Sequence, residues 1–291
     1  MAGVKTVSKE HVSPDHVSHE LGMHTEALRG RTQQRFFDVS DAAVGGFAYP
    51  DAPDVDFNKR AEFDAAALSP RDINLQIRDL IKRGFGTIVV QNPGAKHSLG
   101  VGILNRLNLI FEGSLGYFGC GLIDGANVRI HGRVGWACGE NMMAGTIVIE
   151  KNAGSQFGAA IRGGDLVCKG SVGSRTGIDM KGGTILVGGD TGAFTGFMMQ
   201  RGRMIICGNA GKNLGDSMYD GTIYVGGAIK DLGVDAVPAP LSGLDRQWLT
   251  RKLKMYDLLS PNGVDHFQKI VAGKQLWNYD NLEPSEKKLV L

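Results

Sequence analysis

The sequence predicts an all-β protein: a right-handed parallel β-helix of about seven 19-residue coils, with short helical flanks. Three observations carry this. Gly145, Gly164, Gly183, Gly202 and Gly221 recur every 19 residues, and so do two further glycine columns, Gly135 to Gly211 and Gly139 to Gly215. Apolar residues alternate with a period of two after each anchor glycine, the mark of a strand with one face inward. Of the 43 glycines, 35 lie between Gly84 and Gly233, so the excess is local to the repeat. A period held over five consecutive units is a solenoid signature; an antiparallel sandwich predicts no such period.

Residues 1–64 form an N-terminal extension without sustained periodicity. It holds His11, His16, His19 and His24, whose spacings of 5, 3 and 5 fit no zinc signature. An arm that orders on a partner is the reading for this stretch. Residues 65–85 contain a capping helix. Ser69 is its N-cap, Pro70 suits the first turn, and Asp72 complements the dipole. Ile73, Ile77, Leu80 and Ile81 make one apolar stripe, Leu75 falls off it, and Gly84 stops the helix. Such a helix would cap the open edge of the first coil.

Residues 86–236 carry the coils. Counting the anchor glycine as zero, position two holds Val128, Ile147, Leu166, Ile185, Met204 and Ile223. Position four holds Ile130, Ile149, Cys168, Val187, Ile206 and Val225, and position sixteen holds Met142, Ile161, Met180, Met199 and Met218. These three columns are the expected core. Near 86–102 the pattern slips by two or three residues, predicting an irregular first coil. Coils stacked about 4.8 Å apart would form ladders of like residues. Position three should face outward, yet holds Val148, Val167, Leu186, Ile205 and Tyr224. Either the chain's own tails or a partner subunit must cover that column. Residues 237–291 read as a helical tail, with helices at 244–259 and 264–272 and an extended arm at the end.

No constellation for chemistry emerges: no residue is assigned as catalytic, cofactor-binding or metal-binding. GNAGKN at 208–213 lacks the Lys-Ser/Thr pair of a phosphate loop, and its glycines belong to the 19-residue columns. LGVGILN at 99–105 lacks the third glycine and the helix of a dinucleotide loop. His97 reads as a structural hydrogen-bonder and His131 as a surface imidazole with no evident Ser, Cys or Asp partner. Asp165, Asp179, Asp190, Asp216 and Asp220 sit on corners without a calcium-repeat spacing.

Composition narrows the rest. With 32 basic and 30 acidic residues, nothing favours nucleic acid or an anionic membrane. The start has no apolar h-region and no run of 18 apolar residues exists, so neither secretion nor a membrane span is expected. Cys120, Cys138, Cys168 and Cys207 form no CxxC pair and read as buried thiols of a cytoplasmic protein.

GENMMAGTIVIEKNAG, GIDMKGGTILVGGDTGAF and GKNLGDSMYDGTIYVGG resemble the glutamate synthase C-terminal β-helix domain, the GXGXG superfamily. NPGAKHSLGVGI, preceded by a short helix, is similar to the stand-alone β-helix subunit of three-subunit glutamate synthase-like enzymes, including N-methylglutamate synthase. The similarity covers roughly residues 70–235. It implies a non-catalytic scaffold in a hetero-oligomer that makes glutamate or N-methylglutamate. The implied partners are a glutaminase-like amidotransferase subunit and a synthase subunit, the latter carrying FMN and an iron–sulfur cluster. No cofactor is implied on this chain. The β-helix scaffold of a formylmethanofuran dehydrogenase or formyltransferase complex has the same architecture and is the alternative; a solenoid polysaccharide lyase ranks below both.

Overall fold

Every 19 residues the chain returns to the same place in one sheet. The computed structural model describes residues 54–273. In chain order it contains β1 (Asp56–Asp64), α1 (Pro70–Lys82), β2 (Phe85–Gln91), β3 (Asn108–Glu112), β4 (Asp124–Ile130) and β5 (Ala144–Ile149). Then follow β6 (Asp165–Cys168), β7 (Lys181–Val187), β8 (Arg201–Ile206), β9 (Thr222–Val225), β10 (Ala236–Ala239), α2 (Gly243–Met255) and β11 (Gln268–Ala272). Strands β1 to β9 lie in sequence order and pair in parallel, forming a β-solenoid of about seven turns.

The register is the sequence period made physical. Asn108, Asn127, Thr146, Asp165, Thr184, Arg203 and Thr222 stand in one file across β3 to β9. From β2 to β3 the step is longer, Thr87 pairing with Asn108, which is the expected slip in the first coil. All three expected core columns are buried in one cluster that runs the length of the stack. A methionine ladder of this kind fills irregular space well, because an unbranched thioether adapts its shape.

The glycine columns answer two different constraints. Gly177 sits at φ +65°, where a side chain is strained, and a Cβ there would collide with Met204 Cε. Gly211 has no such dihedral; a Cβ there would lie 2.6 Å from the carbonyl carbon of Gly192 on the preceding coil. The bends are not made by glycine alone. Phe118, Ala137, Gln156, Arg175, Phe194 and Asn213, again 19 apart, hold φ between 55° and 58°. Such a dihedral costs a non-glycine residue about 1–2 kcal/mol. Here each strained N–H finds an acceptor on the next coil, as in Gln156 N–H to Ser174 O at 2.8 Å and Arg175 N–H to Ala193 O at 2.8 Å.

Helix α1 begins and ends where expected. Ser69 Oγ accepts the Asp72 N–H, and Ile73, Ile77, Leu80 and Ile81 are buried. It plugs the apolar end of the stack, but it does not protect the sheet edge. That role falls to β1, a polar strand within the stretch read as an extension, which pairs with β2 and carries Lys59, Arg60 and Glu62 on an exposed edge. Charged edges of this kind resist strand addition.

At the other end, 264–272 is not a helix. Residues 268–272 form β11, antiparallel to both β9 and β10, so the ladder ends in reversed strands. Gly263, at φ +67°, breaks the chain just before this segment, and pairing with β9 then satisfies backbone groups that a short helix would leave open. The histidine-bearing arm and the final extended arm lie outside the described residues.

The question of the outward column is settled by α2. Val148, Val167, Leu186, Ile205 and Tyr224 form a second buried cluster with Trp248, Leu249 and Leu253 of α2, and with Val264 and Phe267. The column is therefore covered by the chain's own C-terminal segment. Of the two alternatives, own tails or a partner subunit, the structure shows the first.

Candidate interaction surface

Two ionic clusters tie α2 across the strands. At its N-terminus Ser242 and Asp245 form a reciprocal cap, and Tyr224 Oη donates to Asp245 Oδ1 at 2.6 Å. Lys269 Nζ approaches Asp245 Oδ2 at 3.1 Å. Burial opposes the charged carboxylate, but the hydrogen bonds from Tyr224, Ser242 and Lys269 prevail and hold Asp245 down at about 2. One coil back, the Arg203 guanidinium lies 4.6 Å from the Trp248 ring centre. Three coils back from Tyr224, Lys252 Nζ meets Asp165 Oδ1 at 2.8 Å and Oδ2 at 2.6 Å, and Tyr256 Oη donates to Oδ2 at 2.5 Å. Burial, together with the Asp165 carboxylate, pushes the Tyr256 phenol up, so it stays a donor. These charges position a helix and contact no open site.

The residues considered for chemistry fall into place singly. His97 Nδ1 accepts the Tyr117 N–H at 2.8 Å, a structural bond as expected. His131 does have a partner: its Nδ1 lies 2.6 Å from Glu112 Oε2, one coil away. Asp179 pairs with Lys181 and Gln200, Asp190 accepts the Asn209 N–H, and Asp216 accepts from Ser217. Asp165 lies under α2, and Asp220 is exposed. Burial raises all four thiols, Cys120 to about 12 and Cys168 and Cys207 to about 11, so none is a ready thiolate. Among the described residues no group of three His, Cys, Asp or Glu could hold a metal ion. Gly100 and Gly102 of LGVGILN are left-handed bends, and Gly208 and Gly211 of GNAGKN pack on the preceding coil. Both glycine stretches are corners.

What α2 leaves uncovered is the N-terminal half of the strand face and the corner beside it. On that half the outward file reads Glu62, Val89, Ile110 and Arg129 before the apolar column begins, with Glu62 and Arg129 exposed, Ile110 half-buried and Val89 fully buried. Two residues along, a polar file runs parallel to it. Gln91 Nε2 donates to Glu62, His131 meets Glu112, and Glu150 receives Arg129 Nε at 3.4 Å and Lys169 Nζ at 3.1 Å. At the neighbouring corner three rings are stacked: His97 on Tyr117 with centroids 4.6 Å apart, and Tyr117 on Trp136 at 5.4 Å. Tyr117, Phe118 and Trp136 are exposed, by 43%, 47% and 55%. The file Glu112, His131, Glu150, Lys169 and the pair Tyr117, Trp136 are each spaced by 19, and that spacing is the sequence signal that finds them.

No helix among the described residues is long and apolar enough to cross a membrane. Residues 56–237, from the start of β1 into β10, match the family model described as the GXGXG motif. No curated protein matches the chain.

Proposed function

The chain belongs to the GXGXG motif family, and from that premise we propose that it is a structural subunit of a glutamate synthase-like complex. In this reading it holds a glutaminase-like amidotransferase subunit and an FMN- and iron–sulfur-bearing synthase subunit in fixed relation, while the complex forms glutamate or N-methylglutamate. The family match over the whole ladder is the observation that carries the reading. Its physical support is stiffness. Reactants passed between two sites need those sites kept in a fixed relation. A ladder of parallel strands with a buried core and a helix clamped along it meets that need.

The buried charges and the core columns have structural tasks in that scheme. Asp165, Lys252 and Tyr256 fix α2; Asp245 fixes its start; the core columns hold the coil spacing. In this proposal both cofactors are carried by the synthase partner.

The test is purification of the chain from its native cells under mild conditions. The expected result is a fixed-stoichiometry complex with an amidotransferase chain and a yellow-brown flavin–iron chain, which disassembles when this chain is removed. A colourless protein recovered alone would sink the scaffold reading.

A further inference from the structure

Resting on that scaffold reading, we propose that the stacked corner of His97, Tyr117 and Trp136, with Phe118 beside it, is the docking site for a protein partner. The partner it fits brings an apolar pocket rimmed by carboxylates. Two other large rings among the described residues, Tyr224 and Trp248, are only 1% and 4% exposed. Here three aromatic side chains on two neighbouring coils face water. Exposed clusters of this kind mark interaction sites, and Trp and Tyr dominate binding energy where they are found.

The corner is also set in advance. His97 is held by the Tyr117 N–H, Tyr117 is held between two rings, and Trp136 Cδ1 lies close over Gly154, where a Cβ would come within 2.6 Å. Rings already locked lose little rotamer freedom on docking, so less of the contact energy is spent on ordering them.

Ring geometry selects the kind of ligand. The faces of Tyr117 are occupied by His97 and Trp136, so its edge, not its face, meets the solvent. Bases of single-stranded nucleic acid stack on free faces, and this corner offers none between its rings. A packed protein pocket takes edges equally well.

Charge selects the rim. Arg133, three residues before Trp136, and Lys151 on the next coil are both exposed, and neither forms an ion pair with a described residue. Val134 N–H to Asn152 O, 3.1 Å, brings those two stretches side by side. A rim of carboxylates on the partner complements them and would speed association at low salt.

The experiment uses the tagged full-length chain in its native cells. Wild type is compared with a Tyr117→Ser/Trp136→Ser double variant, an Arg133→Glu/Lys151→Glu double variant, and, as control, Val234→Ser, an exposed residue at the opposite end of the ladder. Quantitative mass spectrometry reads the recovery of each member of the complex, and thermal melting of the isolated chains checks folding. The aromatic variant should lose at least about tenfold of one partner at unchanged melting temperature. The charge variant should lose less, and the control nothing. Hydroxyl-radical footprinting of the wild-type complex should find Trp136 and Tyr117 protected, a readout that does not depend on any variant folding. Recovery of both partners by the aromatic variant within twofold of wild type, or rings left unprotected, overturns the docking site and leaves the scaffold standing. Wild type recovering neither partner overturns both. Protection arising instead from an oligonucleotide, or from a second copy of this chain, also overturns it.

Discussion

The two halves of the strand face share one backbone and differ only in what points outward. From β5 to β9 the outward file is Val, Val, Leu, Ile and Tyr, and α2 lies on it. From β1 to β4 it is Glu, Val, Ile and Arg, and a file of paired charges runs beside it. The 19-residue period fixes the coil, yet it does not decide which half of the surface is covered. Between Arg129 and Val148 the outward file turns continuously apolar, and there the cover of α2 begins. Apolar burial of Trp248, Leu249 and Leu253 stabilises the covered half by about 1.5–3 kcal/mol for each side chain. Exposed ion pairs on the open half contribute about 0–1 kcal/mol each.

The largest expected effect breaks the covered half at its ionic clamp. Lys252→Met leaves the Asp165 carboxylate buried with only hydroxyl donors, and should cost about 3–5 kcal/mol in chemical denaturation. Adding Asp165→Leu should recover most of that loss, since an apolar pair replaces the buried charges. A single variant as stable as wild type would mean that α2 is not clamped there.

Next comes a lesion in the frame that both halves share. Gly177→Val places a branched side chain at φ +65° against Met204, and should cost about 3 kcal/mol from backbone strain and overpacking. An unchanged melting temperature would count against the stacked-coil architecture itself.

Acid sharpens the contrast further. Asp245, its side chain 3% exposed, is held at about 2 against an ordinary 3.8. A depressed carboxylate contributes its stability in full above the unfolded value and loses it as pH falls through the folded one. The covered half should therefore lose roughly 2 kcal/mol between pH 4 and 2. Asp245→Asn should flatten that part of the curve, followed by Trp248 fluorescence.

Smallest are changes on the open half. Arg129→Ala and His131→Ala should each shift stability by no more than about 0.5 kcal/mol, and the effect should vanish in high salt. A loss of several kcal/mol from either would erase the distinction between the halves.

Much of this architecture is legible in the sequence because each coil repeats the same demand. Gly139 to Gly215, the three core columns and the slip before β3 are constraints of stacking, and stacking leaves a period. Helix α1 is legible for another reason: its cap, its stripe and its stop are all local. What the period cannot carry is pairing between unlike elements. β1 is too polar to look like a strand until β2 lies beside it. β11 takes its conformation from β9. Lys252 and Asp165 are 87 residues apart, and no local pattern joins them. The stacked corner is readable in part, since Tyr117 and Trp136 obey the period, but His97 stands 20 residues from Tyr117, displaced by the longer first coil.

Helix α2 also acts as a length gauge. Its 13 residues span about 20 Å, and it grips the stack at Tyr224 and again at Asp165, three coils apart. Duplicating one 19-residue coil between those grips would move them about 4.8 Å further apart, so both could not be held at once. The same duplication near Gly113 to Gly132, ahead of both grips, would meet no such obstacle. A lineage could therefore lengthen this protein at its open end coil by coil, while the covered end keeps its count.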